Sequence, residues 1–245
     1  GAIASGAGSI QAVVPVAVAD QLWQVAPEVV LKAALDSSAS GGMNVGPWLA
    51  NHDLSRVDAI LIGPGLGRSE ESWSDMAEPL RLFAGLLVLD ADALNRLALS
   101  NQGWQWLKQR QGPTWITPHL AEFRRLFPQI KDREPLDAAI EAARLCGAVV
   151  LLKGAHSVVA DPSSAAWQLG ETASWVARSG LGDLLAGYAA GLGSLVFATA
   201  GICQGESLAA VALLHAEAAR RCQTGSSAGS IANSLAALTI SMQSN

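Results

Sequence analysis

The sequence predicts an α/β protein with a mostly parallel central sheet and helices on both faces. Three observations carry this. Short, continuous apolar runs rich in Val, Ile and Leu recur along the chain, as expected of strands buried on both faces. Helical segments alternate with those runs, the pattern of repeated βα units. The runs also end in glycines or polar residues, at the strand ends where open parallel sheets hold their ligands. Half of the 245 residues are apolar and 15% are charged, a composition that builds a sheet-centred core and argues against disorder.

Taken in order, Ala12 to Val18 is a β-branched run and a predicted strand. Pro27 to Leu35 fits either a strand or a helix start. Ser38 to Pro47 is a loop by composition. Val57 to Gly63 is a strand running into glycines, and a helix follows over about Glu70 to Phe83. Gly85 to Asn95 is a buried strand feeding a helix. Pro113 to Phe127 is strand, turn and helix, with Pro118 suited to the first turn and Thr117 to the N-cap. Pro135 to Gly154 is an amphipathic helix followed by a strand, and His156 to Pro162 is a returning strand. Beyond Asp183 the chain is helical, over about 182–197, 206–222 and 228–242. Leu184 to Gly205 is uncharged and long enough to cross a bilayer. Its five glycines and the lack of a second such run point instead to a buried helix or a broken helix pair.

Composition excludes several function classes. The net charge is −5 and no Lys/Arg stripe is present, so no nucleic-acid partner is expected. The first nineteen residues are uncharged but lack a basic segment and carry Gly and Pro throughout, unlike a signal peptide. Cys146, Cys203 and Cys222 are odd in number and form no CxxC, which predicts reduced thiols in a cytoplasmic protein.

Five motifs sit at predicted strand ends. In "IGPGLG", Gly63, Gly65 and Gly67 either let the backbone approach a ligand or make a simple tight turn. In "LDADALN", Asp90 and Asp92 either hold a hydrated Mg²⁺ or cap the next helix, with capping preferred for at least one. In "TPHLAEF", His119 and Glu122 share one helix face. With no third ligand apparent, His119 reads as facing substrate or solvent rather than zinc. In "LLKGAHSVV", Lys153 either faces a phosphate or ends a strand in solvent, and Gly154, Ala155, His156 and Ser157 extend the polar edge. In "SGLGDLLAG", Gly180 and Gly182 open a helix whose free N–H groups and dipole form an anion hole. Asp183, in the first turn, is placed to take a proton from a substrate hydroxyl. A plain cap needs only the Asp, so the glycines favour chemistry.

These motifs in this order, with "AAVALLHAEAA" and His215 after them, resemble the ribokinase-like superfamily and, within it, the ADP/ATP-dependent NAD(P)H-hydrate dehydratases. The resemblance runs over nearly the whole chain. It implies a single ribokinase-like domain over residues 1–245, with a first strand and Gly-rich loop upstream of residue 1. It also implies dehydration of NADHX or NADPHX by phosphorylation of the ring hydroxyl and elimination of phosphate, with ADP or ATP as donor and Mg²⁺ present. Asp183 would be the base and would also contact substrate. Gly180 and Gly182 would form the anion hole. Lys153 to Ser157 would line the nucleotide site, and Gly63, Gly65, Gly67 and His119 would contact the hydrated dinucleotide. A homo-oligomer and a fused or separate epimerase are expected partners, and the metal ligands stay open. The chain departs from the family pattern at Leu181, within the GxGD turn, at Ala121, and over "TASWVARSG" ahead of that turn. Two rival readings follow from the same residues: a kinase for a vitamin-precursor alcohol, and a nucleotide-binding module without turnover.

Overall fold

A computed structural model of the chain describes all residues except Ser40 and residues 68–72, 171–174, 176–178 and 244–245. Two strands near the N-terminus, β1 (Ile10–Pro15) and β2 (Val29–Leu35), form a small parallel sheet. The main sheet contains β3 (Ala59–Ile62), β4 (Leu86–Leu89), β5 (Thr114–Ile116), β6 (Val149–Leu152), β7 (Val158–Ala160) and β8 (Ala166–Gln168), adjacent in that order. Pairings from β3 to β6 are parallel, and β7 and β8 turn antiparallel. The expected fold class, α/β with a mostly parallel sheet, is therefore observed. As expected of His156 to Pro162, β6 is followed by a strand that returns beside it, β7. β3 ends the main sheet with one edge unpaired among the described residues, and Ala59, Ile60 and Leu61 on it are half-buried.

The helices are α1 (Val16–Val25), α2 (Gly46–Ala50), α3 (Ser74–Leu82), α4 (Ala91–Leu99), α5 (Leu120–Leu126), α6 (Pro135–Cys146), α7 (Leu181–Ala200), α8 (Gly205–Arg220) and α9 (Ala228–Gln243). Successive strand residues point to opposite faces, and the core divides accordingly. Leu87, Leu89, Ile116, Val150 and Leu152 join Leu80, Leu94, Phe123 and Ala142 of the earlier helices. Leu86, Val88, Trp115, Val149 and Leu151 join Leu185, Tyr188, Leu208 and Leu235 of α7, α8 and α9. β4 and β6 are apolar at every position because both faces are covered.

Local chemistry moves three predicted boundaries. The run Ala12 to Val18 does not stay extended: Pro15 closes β1, and Val16 to Val18 open α1. A proline lacks the N–H that a continuing ladder needs and fixes a backbone angle suited to helix entry. Pro27 to Leu35 resolves as a strand. Thr117 does not cap α5; it is buried, and its N–H donates to the Leu89 carbonyl as an extension of the sheet. The cap is His119. For the helix predicted over Glu70 to Phe83, residues 70–72 lie outside the described residues, and α3 begins at Ser74.

The uncharged run after Asp183 is one continuous helix, not a broken pair. α7 runs to Ala200 and stops where Gly201 turns left-handed at φ 70°. By length and composition it could cross a membrane; in the fold it lies between the sheet and the turn Ala2–Ser5. Its glycines are contact points. A Cβ on Gly193 would lie 2.9 Å from the Trp115 ring, and one on Gly191 would lie 2.9 Å from the Ser5 Cβ. Tyr188 Oη and Thr239 Oγ1, 2.8 Å apart, tie α7 to α9. Gly193→Ala is expected to lower stability by about 1–3 kcal/mol, the usual cost of overpacking. Chemical denaturation at fixed pH measures this, and an unchanged midpoint would remove the close-contact argument.

Candidate active site

The motif residues meet along the carboxyl edge of the parallel strands. After β3, the chain turns through Gly63 to Gly67, where Gly65 and Gly67 take φ values of 74° and 82°. Left-handed φ is strained for residues with a Cβ, so glycine is required there. Space is also a constraint: a Cβ on Gly67 would lie 2.7 Å from the Gly41 carbonyl oxygen, and one on Gly63 would collide with the Asp90 backbone. The glycine loop is therefore wedged between residues 41–42 and the end of β4.

Two residues of α4 hold this loop. The Gly67 N–H donates to Asp92 Oδ2 at 3.1 Å. Arg96, almost wholly buried, donates to the carbonyls of Met43, Leu66 and Gly67 at 3.0, 2.8 and 3.1 Å. Arg96 was not singled out in the sequence. Its signal was weak: an arginine one turn beyond "DAD", on the face of α4 that carries Ala93 and Leu97. Its fork of donors suits a cluster of loop carbonyls, of which that of Leu66 also accepts the Met43 N–H.

Asp90 and Asp92 behave differently from either expectation. Asp90 occupies the N-cap position of α4, but its side chain makes no capping bond. Its Oδ1 lies 2.6 Å from Lys153 Nζ. Asp92 braces the glycine loop. With one oxygen of each committed, and no group of three or more His, Cys, Asp or Glu gathered for a metal among the described residues, the pair does not fit a protein-held Mg²⁺. A magnesium ion carried in by nucleotide phosphates needs few protein ligands.

His119 follows β5. Its Nδ1 accepts the N–H groups of Ala121 and Glu122 at 3.0 and 3.3 Å, and its own N–H donates to Glu122 Oε2 at 2.9 Å. The result is a capping box. Nε2 lies 3.2 Å from Glu122 Oε1, and the side chain stays 53% exposed. Lys153, at the end of β6, pairs alongside: its N–H donates to the Pro118 carbonyl at 2.8 Å. Residues 154–157 form the exposed hairpin turn after it. Ser157 closes that turn, with Oγ bonded to both the N–H and the carbonyl of Gly154. His156 Nδ1 lies 3.3 Å from the Leu169 carbonyl oxygen. Leu169 also borders an apolar groove of about 480 Å³ between β8 and α8, which Trp167, Leu213 and Arg220 help to line.

α7 brings the last motif to the same edge. Gly180, at φ 88°, is its N-cap and brings no side chain to cap the helix. The first-turn N–H groups have no intrahelical acceptors. A Cβ on Gly182 would lie 3.5 Å from Lys153 Nζ, so the helix start and the lysine share one small space. Asp183 is exposed in this turn. "TASWVARSG" lies largely outside the described residues. Behind the turn stands His215 of α8. Burial pushes its pKa down to about 4, a hydrogen bond with the Leu181 backbone works the other way, and the Lys153 charge adds to the lowering. Its Nε2 is buried without a partner. The structure thus joins the glycine loop, Asp90, His119, Lys153, Gly182 and Asp183 in one continuous patch. The 154–157 turn lies at its rim.

This fold defines a class. It matches an ADP/ATP-dependent NAD(P)H-hydrate dehydratase from Bacillus subtilis, co-crystallised with ATP and Mg²⁺, with TM-score 0.73 and 22% identity, over 98% of this chain and 81% of that one. A ribokinase-like superfamily protein from Enterococcus faecalis matches with TM-score 0.72 and 20% identity, over 98% of this chain and 79% of that one. The architecture is ribokinase-like. The family model described as NAD(P)H-hydrate dehydratase matches residues 1–241, and the chain belongs to that family. It is 39% identical over 192 residues to the bifunctional NAD(P)H-hydrate repair enzyme Nnr of Synechocystis, covering 78% of this chain and 35% of that protein. To the enzyme of the same description from Gloeobacter violaceus it is 38% identical over 196 residues, covering 80% and 36%. The chain spans about a third of the length of these relatives. The family expected from the ordered motifs is the family found.

Two outcomes follow from the packing around the site. Arg96→Met should cost about 2–4 kcal/mol, because three loop carbonyls lose a charged donor; urea unfolding measures it. His215 binds its proton more weakly when folded than the usual unfolded value near 6.5. Between about pH 6.5 and 4 the unfolded chain therefore holds more protons, so this stability contribution is full above that window and falls as pH drops through it. In His215→Gln the slope of stability against pH over this range should shrink by about 1.4 kcal/mol per unit. An unchanged slope in paired denaturation curves would show that His215 is not buried neutral.

Proposed function

We propose that the protein is a nucleotide-dependent NAD(P)H-hydrate dehydratase, a carbon–oxygen lyase that returns NADHX and NADPHX to NADH and NADPH. The observation that carries the reading is Asp183, exposed in the first turn of an uncapped helix, with the Lys153 ammonium beside Gly182. Phosphoryl transfer asks mainly for positioning and stabilisation of charge, and a lysine with free helical N–H groups offers both. Asp183 takes the proton from the ring hydroxyl. The hydroxyl oxygen then bonds to the terminal phosphorus of the nucleotide as the bond to its leaving phosphate breaks. Gly180, Gly182 and the N–H groups between them receive the charge on the transferring group. The carbon–oxygen bond then breaks to release phosphate, a proton leaves the neighbouring ring carbon, and the ring double bond re-forms. Phosphate departs far more readily than hydroxide, which is why a nucleotide is consumed.

The remaining residues fall into two groups. Lys153 and the turn Gly154, Ala155, His156 and Ser157 lie toward the nucleotide, whose base the groove beyond Leu169 would suit. Gly63, Gly65, Gly67 and His119 lie toward the hydrated dinucleotide. The donor is ADP or ATP, with Mg²⁺ brought in on its phosphates. We also read the chain as one ribokinase-like domain that takes a further strand and Gly-rich loop from upstream, a reading supported by the half-buried apolar edge of β3. The bifunctional relatives support a partner epimerase, fused or separate. A homo-oligomer and a cytoplasmic location complete the proposal.

The test is recovery of the near-ultraviolet absorbance of reduced nicotinamide when the full-length protein meets NADHX, Mg²⁺ and either ADP or ATP. Recovery that depends on nucleotide supports the dehydratase, and the faster nucleotide names the donor. A stable phosphorylated alcohol as product would favour a small-molecule kinase, and binding without turnover a degenerate module. Asp183→Asn should slow turnover by about 10²–10⁴-fold with nucleotide binding retained. Wild-type turnover in that variant would remove Asp183 from the mechanism.

A further inference from the structure

Asp90 is 1% exposed, yet it does none of the work that an acid at a helix start usually does. The chain leaves it through Ala91 at φ 46°, left-handed backbone on a residue with a side chain. Such strain persists only where the surroundings impose it, and it gathers at functional sites. A capping aspartate needs no such turn. Here the turn accompanies a carboxylate that meets Lys153 Nζ at 2.6 Å instead of the first N–H groups of α4.

Lys153 is held from both ends. Its backbone N–H is fixed by the Pro118 carbonyl at 2.8 Å, and its ammonium by Asp90. The ammonium also sits within van der Waals reach of the space beside Gly182, at the N-terminal end of α7. That location is unfavourable for a cation, because the helix dipole places partial positive charge there. A lysine on a flexible stem would swing toward solvent unless something opposed the repulsion. The buried carboxylate opposes it.

We propose that Asp90 is a positioning residue for nucleotide use. It holds the Lys153 ammonium against the like-signed start of α7, so that both positive groups act on the same phosphoryl group. One of the three ammonium donors stays on Asp90, and the others remain for phosphate oxygens. This rests on the nucleotide-dependent reading above and adds to it the device that keeps two repelling positive groups together.

The experiment measures dissociation constants of ADP, ATP and adenosine for the full-length protein by calorimetry. It compares wild type, Asp90→Asn, Lys153→Met and the double variant. Asp90→Asn should weaken the phosphorylated ligand by tenfold or more and leave adenosine unchanged. The double variant should bind ADP or ATP no more weakly than Lys153→Met alone, because the two residues act as a unit. Asp90→Glu, which keeps the charge but displaces the ammonium by a methylene, supplies the same test if Asp90→Asn does not fold. Equal nucleotide affinity in a folded Asp90 variant and wild type, equal losses for adenosine and nucleotide, or additive losses in the double variant would overturn the proposal. Wild type that binds no nucleotide would overturn the functional reading, and this inference with it.

Discussion

At Gly193 the backbone of α7 rides directly on the Trp115 ring, with no room for a single methyl between them. A long helix seated this close cannot slide or tilt without collision. Its first half, anchored to α9 through Tyr188 and Thr239, cannot drift either. The start of α7 is therefore fixed relative to the strands, and it overhangs their carboxyl edge. Everything chemical about the site depends on that placement. The helix delivers an exposed carboxylate and the N–H groups of its first turn to the point where β6 delivers Lys153.

The opposite side of the site is held by polar rather than apolar contacts. The glycine loop packs Leu66 into the core, but its glycines have no side chains with which to pack. Its shape comes from outside, from Arg96 and Asp92 of α4 and from the close approach of Gly41 and Gly42. Buried donors and acceptors of this kind tolerate few alternatives, because each unmade bond carries a desolvation cost. The two halves thus use different physics. One is positioned by steric contact and the other by saturated hydrogen bonding, and Asp90 with Lys153 joins them.

The sheet was legible in the sequence because its strands are covered on both faces, which writes continuous apolar runs such as "LLVL" and "VVLL" into the chain. The helix α7 was legible as buried because glycines interrupt its apolar surface. The motifs were found because glycines and acids at strand ends stand out against such runs. What stayed hidden was pairing. Nothing local tells that Asp90 serves a lysine 63 residues away, or that the cap of α5 is an imidazole rather than the threonine two residues before it. Arg96 was hidden for a related reason: its acceptors are backbone carbonyls, which leave no mark in a sequence. The short strand β8 escaped notice because "AWQ" carries too few residues for any period to show.

The capping box at His119 has a chemical consequence. Both ring nitrogens are engaged, Nδ1 by two backbone N–H groups and Nε2 by Glu122. Acceptance at Nδ1 places the ring hydrogen on Nε2 and fixes the tautomer. The imidazole is thereby held in one orientation although more than half of the side chain faces solvent. What it presents to a ligand is a flat aromatic surface of set orientation, suited to lying against another planar ring.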